Sequence, residues 1–178
     1  MSHTPRLERG YVQVYTGNGK GKTTAAMGLA LRAIGRGLCV YIGQFMKGQP
    51  TGELMALASH PEVTCQQYGD ERLIRRDQVT QAHRDRATAG LDKARTAMLC
   101  GDYDLVIVDE LCVTLWFGML TLEDVLQFID QRPEQVELVL TGRRAHEALI
   151  ERADLVTEMR EVKHYFTQGV LERVGVER

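Results

Sequence analysis

The sequence has little with which to staple or thread itself. Only four cysteines occur, Cys39, Cys65, Cys100 and Cys112. None forms a C-x-x-C pair or lies at metal-ligand spacing from a histidine, which excludes the common zinc patterns and leaves reduced, partly buried thiols. There are four prolines and no repeats, low-complexity tracts or Pro/Gly/Ser-rich linker, so no domain boundary is visible. Charge is nearly balanced, with 22 Lys+Arg against 24 Asp+Glu, and no global field draws the chain to nucleic acid or an anionic membrane. Long apolar runs are missing as well. The greasiest stretch, "LVIVDELCVTLWFGML", is broken by Asp109 and Glu110, short of the roughly 18 apolar residues a spanning helix needs. The opening "MSHTPRLERG" carries charges and no apolar core, unlike a secretory signal. The expectation is a soluble, cytoplasmic protein with neither a nucleic-acid nor a membrane partner. Its 178 residues suit one domain over 1–178, with residues 1–9 as a flexible arm.

What is present alternates between two periodicities. "YVQVY" (11–15), "LCVYIGQF" (38–45), "VTCQQY" (63–68), "LVIV" (105–108), "VELVLTG" (136–142) and "DLVTEMREV" (154–162) read as strands. Helical patterns are expected from 23 to about 35, 52–59, 76 to about 99, 121–132 and 145–153. The first stops at Gly35 and Gly37, and "TLED" at 121 has a capping pattern. Alternating strands and helices imply an α/β fold, a mostly parallel sheet with helices on both faces. Right-handed crossovers then gather the strand-to-helix loops along one edge, where ligands bind in such sheets.

The first of those loops is "YTGNGKGKTTAA" (15–26). Glycines there permit positive φ and clear side chains from an approaching anion. Successive backbone N–H groups and the N-terminus of the following helix can then cradle phosphate. Lys22 is spaced to reach a phosphate and Thr23 to ligate Mg²⁺. The usual G-x-x-x-x-G-K-[ST] pattern would have its first glycine at 16, where this chain has Thr16 and places Gly17 one residue later. A second signal is Asp109–Glu110 at the end of an apolar strand. Beside a phosphate cradle, such a carboxylate helps hold Mg²⁺ directly or through water. A Mg²⁺–nucleoside triphosphate site in a P-loop NTPase-like (RecA-like) fold follows, with the bond to be broken left open.

Longer segments carry a resemblance. "GNGKGKTTAAMGLALRAIGRG" (17–37), "VYIGQFMKG" (40–48) with Gly52–Glu53, "DLVIVDEL" (104–111), "LVLTGRRAHEALIERADLVTEMREVKHYFTQGV" (138–170) and the closing "GVE" (175–177) occur in this order. Together they resemble the P-loop type of corrinoid adenosyltransferase, over nearly the whole chain. The resemblance implies that Co(I) of a reduced corrinoid attacks the 5′ carbon of ATP and that inorganic triphosphate leaves. No protein base is then needed, and His146 and His164 are expected to be structural. It implies further that Gly17, Asn18, Gly19, Lys20, Gly21, Lys22, Thr23 and Thr24 hold the triphosphate, with Lys22 and Glu110 catalytic. Thr23 and Glu110 would hold Mg²⁺ (or Mn²⁺), supported by Asp109.

Four further assignments follow from the resemblance with alternatives beside them. Arg32 approaches the nucleotide or is an exposed helix arginine. Lys47 and Glu53 serve the ribose and nearby substrate or belong to a polar loop. Arg143 meets phosphate or the corrinoid side-chain amides. A homodimer and a flavoprotein or other reductase as electron donor are implied partners. Family members can carry Phe-Thr-Trp after the third strand. This chain has "QQYGDERLIRR" (66–76) there, with Tyr68 as its one aromatic and Leu73 and Ile74 as apolar substitutes. "LWFG" (115–118) supplies another aromatic pair, read as core or subunit interface. Competing readings are a phosphotransferase such as a nucleoside kinase, a non-catalytic nucleotide- or adenosylcobalamin-binding protein, and a DNA-dependent ATPase.

Overall fold

A computed structural model describes residues 7–72 and 74–177. Most of the expected arm (1–9) and Leu73 therefore lie outside the described residues. Six strands form one sheet in the order β3-β2-β4-β5-β1-β6, every pair parallel. The strands are β1 (Val12–Thr16), β2 (Val40–Phe45), β3 (Val63–Tyr68), β4 (Leu105–Asp109), β5 (Glu137–Thr141) and β6 (Leu155–Glu158). The helices are α1 (Lys22–Ile34), α2 (Gly52–Leu57), α3 (Gln81–Leu99), α4 (Leu111–Trp116), α5 (Leu122–Asp130) and α6 (Glu147–Arg152).

The sheet is buried because both faces are covered. β2 and β4 are buried along their whole length, as expected of apolar runs without alternation. On one face Ala26, Met27, Ala30 and Leu54 pack over Ile42, Ile107 and Val139. On the other, Leu91, Met98, Leu111 and Phe128 cover Val106, Val108 and Leu138. β6, one of the two edge strands, is exposed throughout. No helix among the described residues is long and apolar enough to cross a membrane.

Several boundaries differ from the sequence expectation. The third helix begins at Gln81 and not at Arg76. Arg76–Gln78 is a separate 3₁₀ turn, and Thr80 caps α3 by accepting at its side chain while its own N–H donates to His83 Nδ1 at 2.8 Å. β2 begins at Val40 and not Leu38, because Leu38 N–H still closes α1 on the Ala33 carbonyl and Cys39 N–H donates to Asp104. β6 ends at Glu158, four residues early. α4 was not anticipated. Its residues form an apolar run with a strand's composition, but Glu110 turns the chain at φ 60° and the next six residues coil back over the sheet. "LWFG" is therefore the end of that helix and its C-terminal turn.

Two helical glycines make a paired test of packing. A Cβ on Gly90 would lie 2.6 Å from the Tyr68 ring, which is held by a hydrogen bond with Tyr41 and by the Phe45 ring 5.3 Å away. Overpacking of this kind costs about 1–3 kcal/mol and outweighs the roughly 1 kcal/mol that alanine gains over glycine in a helix. At Gly28 a Cβ meets nothing within 4 Å, so only the propensity gain applies. Urea denaturation should show Gly90→Ala destabilised by about 1–2 kcal/mol and Gly28→Ala stabilised by about 0.5–1 kcal/mol.

Candidate active site

β1 delivers the chain to the carboxyl edge of the sheet, and the glycine loop turns it into α1. Gly17 has φ 95° and Gly21 φ 116°, torsions that side chains disfavour. A Cβ on Gly17 would also sit 2.4 Å from the Met159 carbonyl oxygen. The loop is docked on the segment after β6, with Gly19 N–H donating to Met159 O at 2.6 Å. Thr16 explains the displaced first glycine. It is the last residue of β1, and its hydroxyl oxygen accepts from Ala145 N–H at 3.2 Å, so it ties the loop after β5 to the cradle while Gly17 takes the positive φ.

Lys22 is 6% exposed. Its ammonium donates to the carbonyls of Gly17 at 2.8 Å and Gly19 at 2.7 Å, and no carboxylate lies within salt-bridge distance among the described residues. Burial lowers its pKa, partly offset by the Glu110 charge. The charge is thus fixed in the cradle with backbone carbonyls as its direct partners, and an incoming polyanion would relieve the cost of its burial.

Sheet register builds the facing wall. Gln67 pairs with Gln44, and Gln44 with Asp109, while Val108 pairs with Leu140, one residue before Thr141. A polar row crosses β3, β2, β4 and β5 at one level. Gln67 Nε2 donates to Gln44 Oε1 at 3.0 Å, Gln44 Nε2 to Asp109 Oδ2 at 3.2 Å, and Thr141 Oγ1 to Asp109 Oδ1 at 2.6 Å. Thr23 Oγ1 also donates to Asp109 Oδ1, at 2.9 Å, and Lys47 Nζ to Oδ2 at 3.1 Å. Asp109 is completely buried, and both of its oxygens are engaged by protein. Burial disfavours the Lys47 charge, but the Asp109 carboxylate more than compensates and its pKa rises.

Glu110 is the carboxylate left facing the cavity. Its N–H donates to Thr141 Oγ1 at 3.0 Å. Burial and the adjacent Asp109 raise its pKa, against the pull of Lys47, Lys22 and Arg143. Glu110, Met46 (φ 61°) and Arg144 (φ 57°) are the non-glycine residues with positive φ among those described. They follow β4, β2 and β5 respectively, so backbone strain is concentrated on this edge.

The cavity measures about 740 Å³. Gly19, Lys20, Gly21, Lys22, Thr23, Thr24, Lys47, Glu53, Glu110 and Arg143 all lie on its wall, so most of the residues singled out in the sequence come together. Asn18 is exposed and lies off the wall. Arg32 is not brought in. It sits ten residues beyond Lys22, about 15 Å along the helix, exposed and close enough to Tyr15 to lower the phenol's pKa against the larger effect of burial.

Sequence reasoning missed Gln44, Thr141 and the C-terminal segment. A lone glutamine ending an otherwise apolar strand was the available signal for the first. Lys20, assigned to the triphosphate, donates to Glu177 Oε1 at 2.8 Å, Tyr165 OH at 3.0 Å and the Val176 carbonyl at 3.3 Å. Arg173 and Tyr165 also donate to Glu177, and these bonds hold its carboxyl well below the usual range. Residues 175–177 and His164 complete the wall. The two histidines make structural contacts: Nδ1 of His146 accepts from Ala148 N–H at 3.2 Å, and Nδ1 of His164 from Phe166 N–H at 3.1 Å.

A glycine cradle holding a buried lysine between a parallel strand and a helix, faced by an acidic strand end, defines a P-loop nucleotide-binding protein. The model of the family described as ATP:corrinoid adenosyltransferase BtuR/CobO/CobP matches residues 8–178. Among curated relatives, the corrinoid adenosyltransferase of Pseudomonas aeruginosa is 40% identical over 97% of this chain and 85% of its own length. That of Escherichia coli K12 is 38% identical over 96% and 86%. The corrinoid adenosyltransferase CobA of Salmonella typhimurium is 37% identical over the same shares. The chain belongs to the ATP:corrinoid adenosyltransferase family and is a transferase. Membership displaces the phosphotransferase, non-catalytic carrier and DNA-dependent ATPase readings.

Proposed function

We propose that this chain transfers the adenosyl group of ATP to the cobalt of a reduced corrinoid, in coenzyme B12 biosynthesis or salvage. The Co(I) electron pair forms a bond to C5′ of the ribose, the C5′–O bond breaks, and its electrons leave on triphosphate. Within a family defined by this reaction, the observation that carries the reading is Lys22. It is a buried ammonium in a glycine cradle, placed to receive the charge that grows on a leaving polyphosphate. Arg143 adds positive charge on the same wall, where Lys20 is paired with Glu177.

The oxygen donors suit Mg²⁺, which takes one or two carboxylates plus substrate phosphates. Among the described residues no cluster of three or more His, Cys, Asp or Glu could hold a metal alone, so the nucleotide would supply the remaining ligands. Thr23 and Glu110 would hold the ion. Asp109, with both oxygens engaged by protein, would orient Thr23 and not ligate. The ion would supply charge neutralisation for the triphosphate. Lys47 and Glu53, 3.9 Å apart, flank the space next to the cradle and suit the ribose hydroxyls. A cytoplasmic location, a homodimeric assembly and a flavoprotein or other reductase as electron source belong to the same proposal.

The test is to mix protein, MgATP and chemically reduced cobinamide or cobalamin, following the corrin absorption and the phosphorus products. A Co–carbon spectrum with stoichiometric triphosphate is expected. Orthophosphate or diphosphate as the released product would overturn the reading.

A further inference from the structure

Lys20 is held by the C-terminal segment and not by its own loop. Its ammonium donates to Glu177 Oε1 at 2.8 Å, to Tyr165 OH at 3.0 Å and to the Val176 carbonyl at 3.3 Å. An ammonium has three N–H donors, so all three are spent and none points at a phosphate oxygen. Lys22 spends two, both on its own loop. Glu177 stands beside Lys20 on the cavity wall, a negative charge in a site whose other features suit a polyanion. Among the described residues, the hydrogen bonds joining 164–177 to the rest of the chain all come from Lys20. The segment's other bonds are internal, such as Val170 N–H to the Tyr165 carbonyl and Glu177 N–H to the Arg173 carbonyl. Phe166, Leu171 and Val174 are exposed, so little apolar packing adds to its attachment. The segment hangs on one lysine of the phosphate loop.

Glu177 does not depend on Lys20 in return. Arg173 donates to it through its backbone N–H at 2.8 Å, Nε at 3.2 Å and Nη2 at 2.9 Å, and Tyr165 donates as well. Its charge stays paired when Lys20 leaves. An exposed ion pair is weak, whereas a polyphosphate offers several anionic oxygens for charge-assisted bonds to a lysine already placed at the cradle. We propose that Glu177 is a positioning residue, an internal anion that occupies Lys20 until a polyphosphate takes its place, and that this exchange frees residues 164–177 from the cavity wall. The return of Glu177 to Lys20 then favours release of the triphosphate product. This inference rests on the reading of the cavity as a triphosphate site.

The probe is inorganic triphosphate with Mg²⁺, titrated calorimetrically into the full chain and into Glu177→Gln, each also on a Lys20→Met background. An exposed ion pair corresponds to about two- to fivefold in an equilibrium. Glu177→Gln should therefore bind triphosphate about threefold more tightly than wild type, and the gain should fall below about 1.5-fold on the Lys20→Met background. A merely structural role for Glu177 would weaken binding instead. Equal or weaker binding by Glu177→Gln, or a gain that persists undiminished without Lys20, would overturn the exchange. The segment itself gives a second readout that needs no variant. Trypsin cleavage after Lys163 and Arg173, both exposed, should quicken about threefold in wild type saturated with triphosphate, because cleavage follows the population of the released segment. Protection by triphosphate would show the segment closing over the anion and would overturn the proposal. Wild type that binds no triphosphate would sink the reading of the cradle itself, whereas tight binding that Glu177→Gln leaves unchanged would sink the exchange alone.

Discussion

Replacing Lys22 with alanine is expected to lower kcat/KM for adenosylation by about 10³-fold, with thermal stability little changed. Removing one fixed group aimed at developing negative charge costs about 10²–10³ in rate in a water-excluded site, and Lys22 is the most buried cation of the cradle. Its two bonds go to backbone carbonyls that the loop presents anyway. The folded state therefore gives up two hydrogen bonds and at the same time escapes the cost of a desolvated ammonium. Lys22→Arg should not restore activity, because a planar fork cannot take the place of a compact ammonium between the Gly17 and Gly19 carbonyls. Steady-state triphosphate release and a thermal melt check both halves. A variant keeping more than about a tenth of the wild-type rate would contradict the role given to this residue.

Asp109→Ala is expected to act the opposite way, through the fold first. Its carboxylate is fully buried and receives Thr23, Thr141, Gln44 and Lys47. Removing one member of a buried charge pair costs about 3–5 kcal/mol, and here Lys47 would be left facing a cavity in the sheet edge. Asparagine does not rescue the site. One oxygen could still accept from the two threonines, but the amide N–H₂ would then meet the donors of Gln44 and Lys47. Both variants should show a lower urea midpoint with an unchanged m-value, and turnover reduced further than the unfolded fraction explains, because Thr23 is no longer oriented. Wild-type stability in Asp109→Ala would show that the network is not a structural element.

The two residues fail differently because of where their partners come from, and the same distinction separates what could be read in the sequence from what could not. Lys22 is bound within its own loop, so the strand, the glycine spacing and the Gly-Lys-Thr run already specified it. The positive φ values at Gly17 and Gly21 are local torsional requirements, visible as residue types. The parallel sheet was legible for a related reason, since alternating apolar runs and helical patterns admit few other arrangements. No element was read at 111–116, an apolar run with a strand's composition that becomes a helix through a single αL residue, Glu110.

By itself, then, the sequence determined the glycine loop between strand and helix, the acidic strand end, the sheet class and the family resemblance, because each depends on residues within a few positions of one another or on their order. Tertiary structure alone decided that Asp109 is saturated and Glu110 is not, since that depends on the register of β2, β4 and β5. It also brought Glu177 onto Lys20, left Arg32 beside Tyr15 and stacked Arg76 and Arg144 on Trp116. Those contacts join residues separated by tens to more than a hundred positions. Side-chain partners at that range are selected by how strands align and how helices lie across them, which no local pattern of residues encodes.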